Sequence, residues 1–356
     1  MDGLNRPADA APASRFLRAC RRMPVDRTPV WFMRQAGRYM PEYRALREKY
    51  SLIEICRQPE LAAEVTLQPV HLLGVDAAIL FADILLPLIP MGVDIEFIRG
   101  DGPAIHNPIR SEADIAGLRP IEAEQALGHV MRAVQLVRQQ LPREIALIGF
   151  AGAPFTLASY LVEGGASRDF LRTKRLMYSE GRAWRELMEK LSAMLTDYLV
   201  AQVRAGAQAV QLFDSWVGVL SPEDYRDYVQ PYSASVLEGV SQAGVPVIHF
   251  GTGTATLLEA MRDAGGDVMG VDWRIPLDQA WERLGPSVAI QGNLDPAALF
   301  APRPELERQV RRILQAAAGR PGHVFNLGHG ILPETPVERA KAVVEMVHEF
   351  SVREAA

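Results

Sequence analysis

Eight short apolar runs, each closed by turn residues or a polar side chain, set the strongest limit on how this chain folds: TPVWFMR, AAILFAD, IALIGFAG, AQAVQLFDS, PVIHFGT, DVMGVDW, SVAIQGN and HVFNLGHG. Most are continuously apolar instead of alternating, the pattern of strands covered on both faces in a parallel sheet. Helical patterns separate them. In GRAWRELMEKLSAMLTDYLVAQVRA, residues Trp184, Leu187, Leu191, Leu195, Tyr198 and Val203 recur at helical spacing with charges between them. Ser221-Pro222, Asp295-Pro296 and Thr335-Pro336 each pair a capping side chain with a proline suited to a first helical turn, and Thr335 to Glu338 fits a capping box. Strand and helix alternate about eight times without a Ser/Gly-rich linker, which predicts an α/β chain folded as a single (β/α)₈ TIM barrel over residues 14–356, in preference to a doubly wound sheet.

Residues 1–13 read as a flexible N-terminal tail, because the opening MDGLNRPADAAPAS has neither a charged n-region nor an apolar h-region. The most apolar region, 71–93, is interrupted by Asp76, Asp83, Pro87 and Pro90 and is too broken for a membrane span. Cys20 and Cys56 are the only cysteines; they cannot build a disulfide framework, suit a reducing cytoplasm, and have no zinc-site spacing. The net charge of −5 excludes a global positive field for nucleic acid or an acidic membrane, so an anionic ligand needs a local cationic cluster.

Such a cluster exists at WFMRQAGRYMPEYRALREKY, where Arg34, Arg38, Arg44, Arg47 and Lys49 outnumber Glu42 and Glu48. Arginine presents a planar fork of donors that matches carboxylate or phosphate bidentately. Gly37 would admit close backbone approach or a backbone angle closed to other residues. The same arginines could instead pair with strand-end aspartates or cover the barrel rim. Polar residues do collect where the runs end: Arg34, Asp83, Asp214 with Ser215, His249, Asp272, Asn293, and Asn326 with His329. In a parallel barrel those ends share the face that carries the site. Asp83 follows an apolar run, so its carboxylate must meet N–H donors, a cation or a ligand. Ser215 lacks a nucleophile elbow and suits hydrogen bonding. His329 lies between glycines in an exposed turn, and Tyr160 could be either a core aromatic or a phenol aimed at a ligand. The GTGT at 251–254 is too short for a dinucleotide fingerprint, and no zinc-protease, Walker A or kinase motif is present.

PVWFMRQAGRYMPEYR, AAILFADIL, GFAGAPFTLASYLVEGG, QLFDSW, HFGTG, GNLDP and FNLGHGILPETP together closely resemble the uroporphyrinogen decarboxylase family, nearly end to end. The resemblance implies a cofactor-independent, metal-independent barrel, usually a homodimer, that removes the four acetate carboxyls of uroporphyrinogen III as CO₂ to give coproporphyrinogen III for tetrapyrrole synthesis. It implies substrate binding by Arg34, Gln35, Ala36, Gly37, Arg38, Asp83, Tyr160, Ser215 and His329, with Asp83 and Arg34 as the catalytic candidates. Met33, Tyr43, Phe81 and Phe213 are expected to line the cleft. Tyr43 and Phe155 stand where the family often has phenylalanine and tryptophan, changes that keep an aromatic surface. Two other readings compete. A corrinoid-related methyltransferase on the same fold would be expected to carry a His/Cys zinc set, and a non-catalytic tetrapyrrole-binding protein would bind without turnover.

Overall fold

A computed structural model describes residues 14–98 and 102–353; the tail expected over 1–13 lies outside them. Nine strands are present among the described residues: β1 (Ala77–Ile79), β2 (Ile95–Ile98), β3 (Gly102–Ile105), β4 (Ala146–Gly152), β5 (Ala209–Asp214), β6 (Val247–Gly251), β7 (Val268–Gly270), β8 (Ala289–Gln291) and β9 (His323–Val324). Seven form one parallel sheet in the order β1-β4-β5-β6-β7-β8-β9, while β2 and β3 pair as an antiparallel hairpin inserted after β1. The barrel strands are buried along their length, as their uninterrupted apolar character requires.

The first apolar run closes this curled sheet without becoming a strand. Val30 makes a parallel bridge to Phe325, Trp31 N–H donates to the Phe325 carbonyl (3.3 Å), and Asp76 N–H donates to the Val30 carbonyl (2.8 Å). Beyond Val30 side-chain amides take over the ladder. Gln35 Oε1 accepts the Phe32 N–H and its Nε2 donates to the Ala77 carbonyl, both at 3.0 Å. Asn326 Oδ1 accepts from Met33 N–H at 3.1 Å and Leu327 N–H at 2.8 Å. Those bonds satisfy buried backbone groups while the chain turns out of the barrel at Arg34.

Helices cover the sheet. The helix Gly181–Ala205 buries Trp184, Leu187, Leu191, Leu195 and Tyr198 as its spacing predicts. Its Gln202 grips β4 through Phe150, accepting from the N–H and donating to the carbonyl, each at 2.9 Å. Ser221 caps the helix Pro222–Tyr228 as expected, and Asp295 caps a single 3₁₀ turn. The capping box at Thr335 does not form: Pro336 is the N-cap of the helix Val337–Phe350, and Thr335 Oγ1 is buried without a partner among the described residues. At the N-terminal end of β1, Asp76 accepts from Arg15 Nη1, Val30 N–H and His348 Nε2, each at 2.7 Å, and so ties the first and last described helices to the barrel floor. No helix among the described residues is long and apolar enough to cross a membrane.

Candidate active site

A cleft of about 970 Å³ opens at the C-terminal ends of the barrel strands. Its lining comes from the segment after Val30, the segment after β1, the ends of β4, β5 and β6, the helix Pro154–Glu163, the β2–β3 hairpin and the loop after β9. Of the residues singled out in the sequence, Met33, Arg34, Ala36, Gly37, Arg38, Tyr43, Phe81, Asp83, Tyr160, Phe213, Ser215 and His329 all reach it. Gln35 does not. It is fully buried, and its amide serves the backbone of the barrel seam.

The charge in this cleft is one-sided. Its four lining cations, Arg34, Arg38, Arg44 and Arg47, come from one stretch of chain, which also supplies Glu48, and apart from Asp83 the rest of the lining is aromatic, aliphatic or neutral. Arg34 and Arg38 are exposed and make no ion pair among the described residues. Arg44 Nη1 is held by the carbonyls of Arg38 and Tyr39 at 3.2 Å, and Arg47 Nη1 by that of Tyr50 at 3.0 Å. Local geometry fixes Arg34 tightly. Its φ is +59°, a left-handed conformation unusual for a residue with a side chain. A Cβ on Gly330 would stand 2.5 Å from Arg34 Cδ, and one on Gly37 would stand 3.0 Å from the Arg34 carbonyl oxygen, so both glycines are close-approach positions. Gly37 is needed for that space and not for a positive φ.

Asp83 lies beyond the β1 ladder, half-buried, where the chain enters the 3₁₀ turn Leu86–Leu88. Its Oδ1 accepts the Leu85 N–H at 2.9 Å. Burial raises its pKa above the ordinary carboxylate value, opposed by that N–H and by the charge of Arg34. The Tyr160 phenol is pushed up to about 12, chiefly by burial. At His329 the Gly330 N–H donates to Nδ1 at 2.7 Å, so the ring proton belongs on Nε2. Burial, then repulsion from Arg34 and Arg274, brings that histidine down to about 4, which leaves a neutral imidazole with one N–H to offer.

Aromatic rings make the apolar surface. Phe213 meets Phe150 edge-on at 5.6 Å and Phe250 at 5.8 Å, Tyr43 tilts on Phe81 at 5.3 Å, and Trp216 tilts on Tyr160 at 5.8 Å. The sequence reading missed Phe150, Trp216, Phe250 and the hairpin residues Phe97 and Pro103. It also expected too much of the strand ends. Asp214, His249, Asp272, Asn293 and Asn326 are buried and do not line the cleft. Asp272 accepts the Gly253 N–H at 2.6 Å, and Asn293 donates to the carbonyls of Asp272 (2.9 Å) and Ile275 (2.7 Å), so both brace loops. The missed signal was alternation: Phe213 and Ser215 face the cleft while Asp214 between them points away.

A parallel (β/α)₈-type barrel with a cationic cleft and an apolar-set carboxylate at its C-terminal face belongs to the barrel enzymes. Solved structures support that fold: a methyltransferase from Methanosarcina mazei superposes with TM-score 0.78 at 21% identity, covering 96% of this chain and 99% of its own. A B12-independent methionine synthase from Shewanella sp. W3-18-1 follows with TM-score 0.56 at 14% identity, covering 84% and 90%. Sequence relatives define the family. The family model described as uroporphyrinogen decarboxylase matches residues 11–350. A uroporphyrinogen decarboxylase from Sorangium cellulosum (strain So ce56) is 64% identical over 94% of this chain and 95% of its own, and one from Solibacter usitatus (strain Ellin6076) is 56% identical over 95% and 97%. The chain belongs to the uroporphyrinogen decarboxylase family, and it is a carboxy-lyase.

Proposed function

We propose that this barrel decarboxylates uroporphyrinogen III at its four acetates, with Arg34 and Arg38 receiving carboxylates and Asp83 serving the pyrrole nitrogens. The observation that carries the reading is the contrast inside the cleft: unpaired guanidinium groups on one wall, and a carboxylate with a single backbone donor set among aromatic rings. A polyanionic tetrapyrrole with four pyrrole N–H groups needs both halves of that surface.

The chemistry follows from the ring. Protonation at a pyrrole carbon makes a cationic electron sink; the bond to the acetate carboxyl then breaks, CO₂ leaves, and its bonding pair neutralises the ring. A proton delivered to the resulting exocyclic methylene gives the methyl group, and loss of the proton first added to the ring carbon regenerates the aromatic pyrrole. Each cycle consumes one proton and releases one CO₂, and the protonated ring itself does the work of an electron sink, so no organic cofactor or metal is needed. Asp83 accepts pyrrole N–H bonds and stabilises the cation by charge already in place. Its burial strengthens that interaction and costs stability in the free protein.

Arg38, at the rim, anchors a peripheral carboxylate. Arg34, given room by Gly330 and within electrostatic reach of His329 and Asp83, orients the reacting acetate and shares in proton delivery. A guanidinium gripping the departing carboxylate would hold back the reaction unless the contact improves as charge moves, so anchoring and reaction fall to different arginines. Ser215, the neutral Nε2–H of His329 and the Tyr160 phenol supply directional hydrogen bonds, and Ala36 and Gly37 allow close approach. The catalytic unit runs from residue 14 onward and works as a homodimer in the cytoplasm, in keeping with the buried, unpaired Cys20 and Cys56. Incubation with uroporphyrinogen III under reducing conditions tests the activity: stepwise loss of carboxyls to coproporphyrinogen III with release of CO₂ is expected, and binding without product would favour a tetrapyrrole-binding role instead.

A further inference from the structure

We propose that Asp214 and Thr156 are positioning residues for this reaction: their hydrogen-bonded pair locks the helix carrying Tyr160 to the turn carrying Ser215 and Trp216. The inference rests on the reading of Tyr160 and Ser215 as substrate contacts. Both residues of the pair are fully buried, and neither lines the cleft. Thr156 Oγ1 donates to Asp214 Oδ1 at 3.1 Å and accepts the Trp216 N–H at 3.4 Å, so one hydroxyl is used in both directions. Three residues earlier, Ala153 N–H donates to the Phe213 carbonyl at 2.8 Å. On the other side of the turn, Thr252 Oγ1 donates to the Ser215 carbonyl at 2.5 Å. Trp216 is then packed between Tyr160, at 5.8 Å, and Phe170, at 5.4 Å.

The carboxyl is a demanding choice for this place. Burial pushes Asp214 up to about 7, against only the Thr156 hydroxyl. The polar groups facing it are Thr156 and the phenol of Tyr225 from the helix Pro222–Tyr228; Gly251 opposes it on β6, and no ion pair reaches it among the described residues. A solely structural acceptor would be served as well by an amide. The carboxyl adds sensitivity: ionisation forces charge into a dry wall directly behind two substrate contacts.

Thr156→Val keeps shape and removes both hydrogen bonds. It is expected to raise KM or lower kcat so that kcat/KM falls about tenfold, the scale of one well-placed hydrogen bond, while Thr156→Ser stays within about twofold of the parent. Asp214→Asn keeps the acceptor and cannot ionise; the ratio of parental to Asn-variant kcat/KM is expected to fall as pH rises from about 6 to about 9. Parental KM and kcat in Thr156→Val would overturn the proposal. Equal losses in Thr156→Val and Thr156→Ser would mark a packing role and overturn it too, as would a pH-independent ratio. Ser215→Ala and Tyr160→Phe are assayed alongside. If both leave KM and kcat unchanged, the reading of these contacts fails whatever Thr156 does; if they act and Thr156→Val does not, only the positioning role fails.

Discussion

Asp76 and Asp83 stand at opposite ends of the same short strand, and the chain treats the two carboxylates in opposite ways. Asp76, 4% exposed, is surrounded by Arg15, His348 and the Val30 N–H, each within 2.7 Å. Asp83 has the Leu85 N–H and open space. At the floor a buried charge is fully answered and serves the fold; at the mouth a similar charge is left under-answered and serves the substrate. Catalytic capacity here is an interaction withheld from the protein and reserved for a ligand.

Substitution should separate the two ends. Asp76→Ala strips a partner from Arg15, His348 and one buried N–H, and is expected to destabilise the fold by about 3–5 kcal/mol, seen in denaturant melts, with kcat of the remaining folded protein near parental. Asp83→Asn should do the reverse: kcat falling by about 10²-fold with the melting temperature held or raised. An unchanged kcat in that variant would end the proposed role for Asp83. Arg38→Ala, at the rim, should weaken substrate binding by about tenfold while kcat changes little, measured by titration and steady-state kinetics.

The smallest effect is a pH slope. Because Asp83 titrates above its ordinary value of 3.8 in the folded chain, the folded state holds a proton there that the unfolded chain has already released. Parental stability should therefore fall relative to Asp83→Asn as pH rises above about 4, with the two converging below it. Melting temperatures of both proteins across that range check the sign, and a parallel pair of curves would mean that the carboxylate is solvated.

The barrel was largely legible in the sequence because its strands are covered on both faces, and continuous apolar runs ending in polar residues leave few other architectures. The first run failed for a specific reason. TPVWFMR has strand composition, but its ladder is completed by the side chains of Gln35 and Asn326, and no propensity scale registers an amide standing in for a backbone. The hairpin of β2 and β3 was hidden because IEFI and GPAI carry a weak, mixed pattern in an insertion half open to solvent. At the site, composition found the arginines and Asp83, whose chemistry is out of place in a barrel core. It could not separate Asp214 from Ser215. Strand-end position says that a residue is near the mouth, whereas its parity along the strand says which way it looks. Gln35 teaches the complement: inside a motif full of ligand-facing residues, one polar side chain can belong wholly to the scaffold.

The seam where Val30 meets Phe325 has a mechanical meaning. Elsewhere neighbouring strands are stitched by successive backbone bonds, but here a few backbone bonds around Val30 give way to the amides of Gln35 and Asn326, and Arg34 and Arg38 follow on that edge. Undoing two rotatable side chains costs fewer concerted bonds than parting a ladder. The join of the cylinder therefore lies beside its charged edge, and the bonds that close the barrel at Phe32 and Met33 also set where the neighbouring arginines stand.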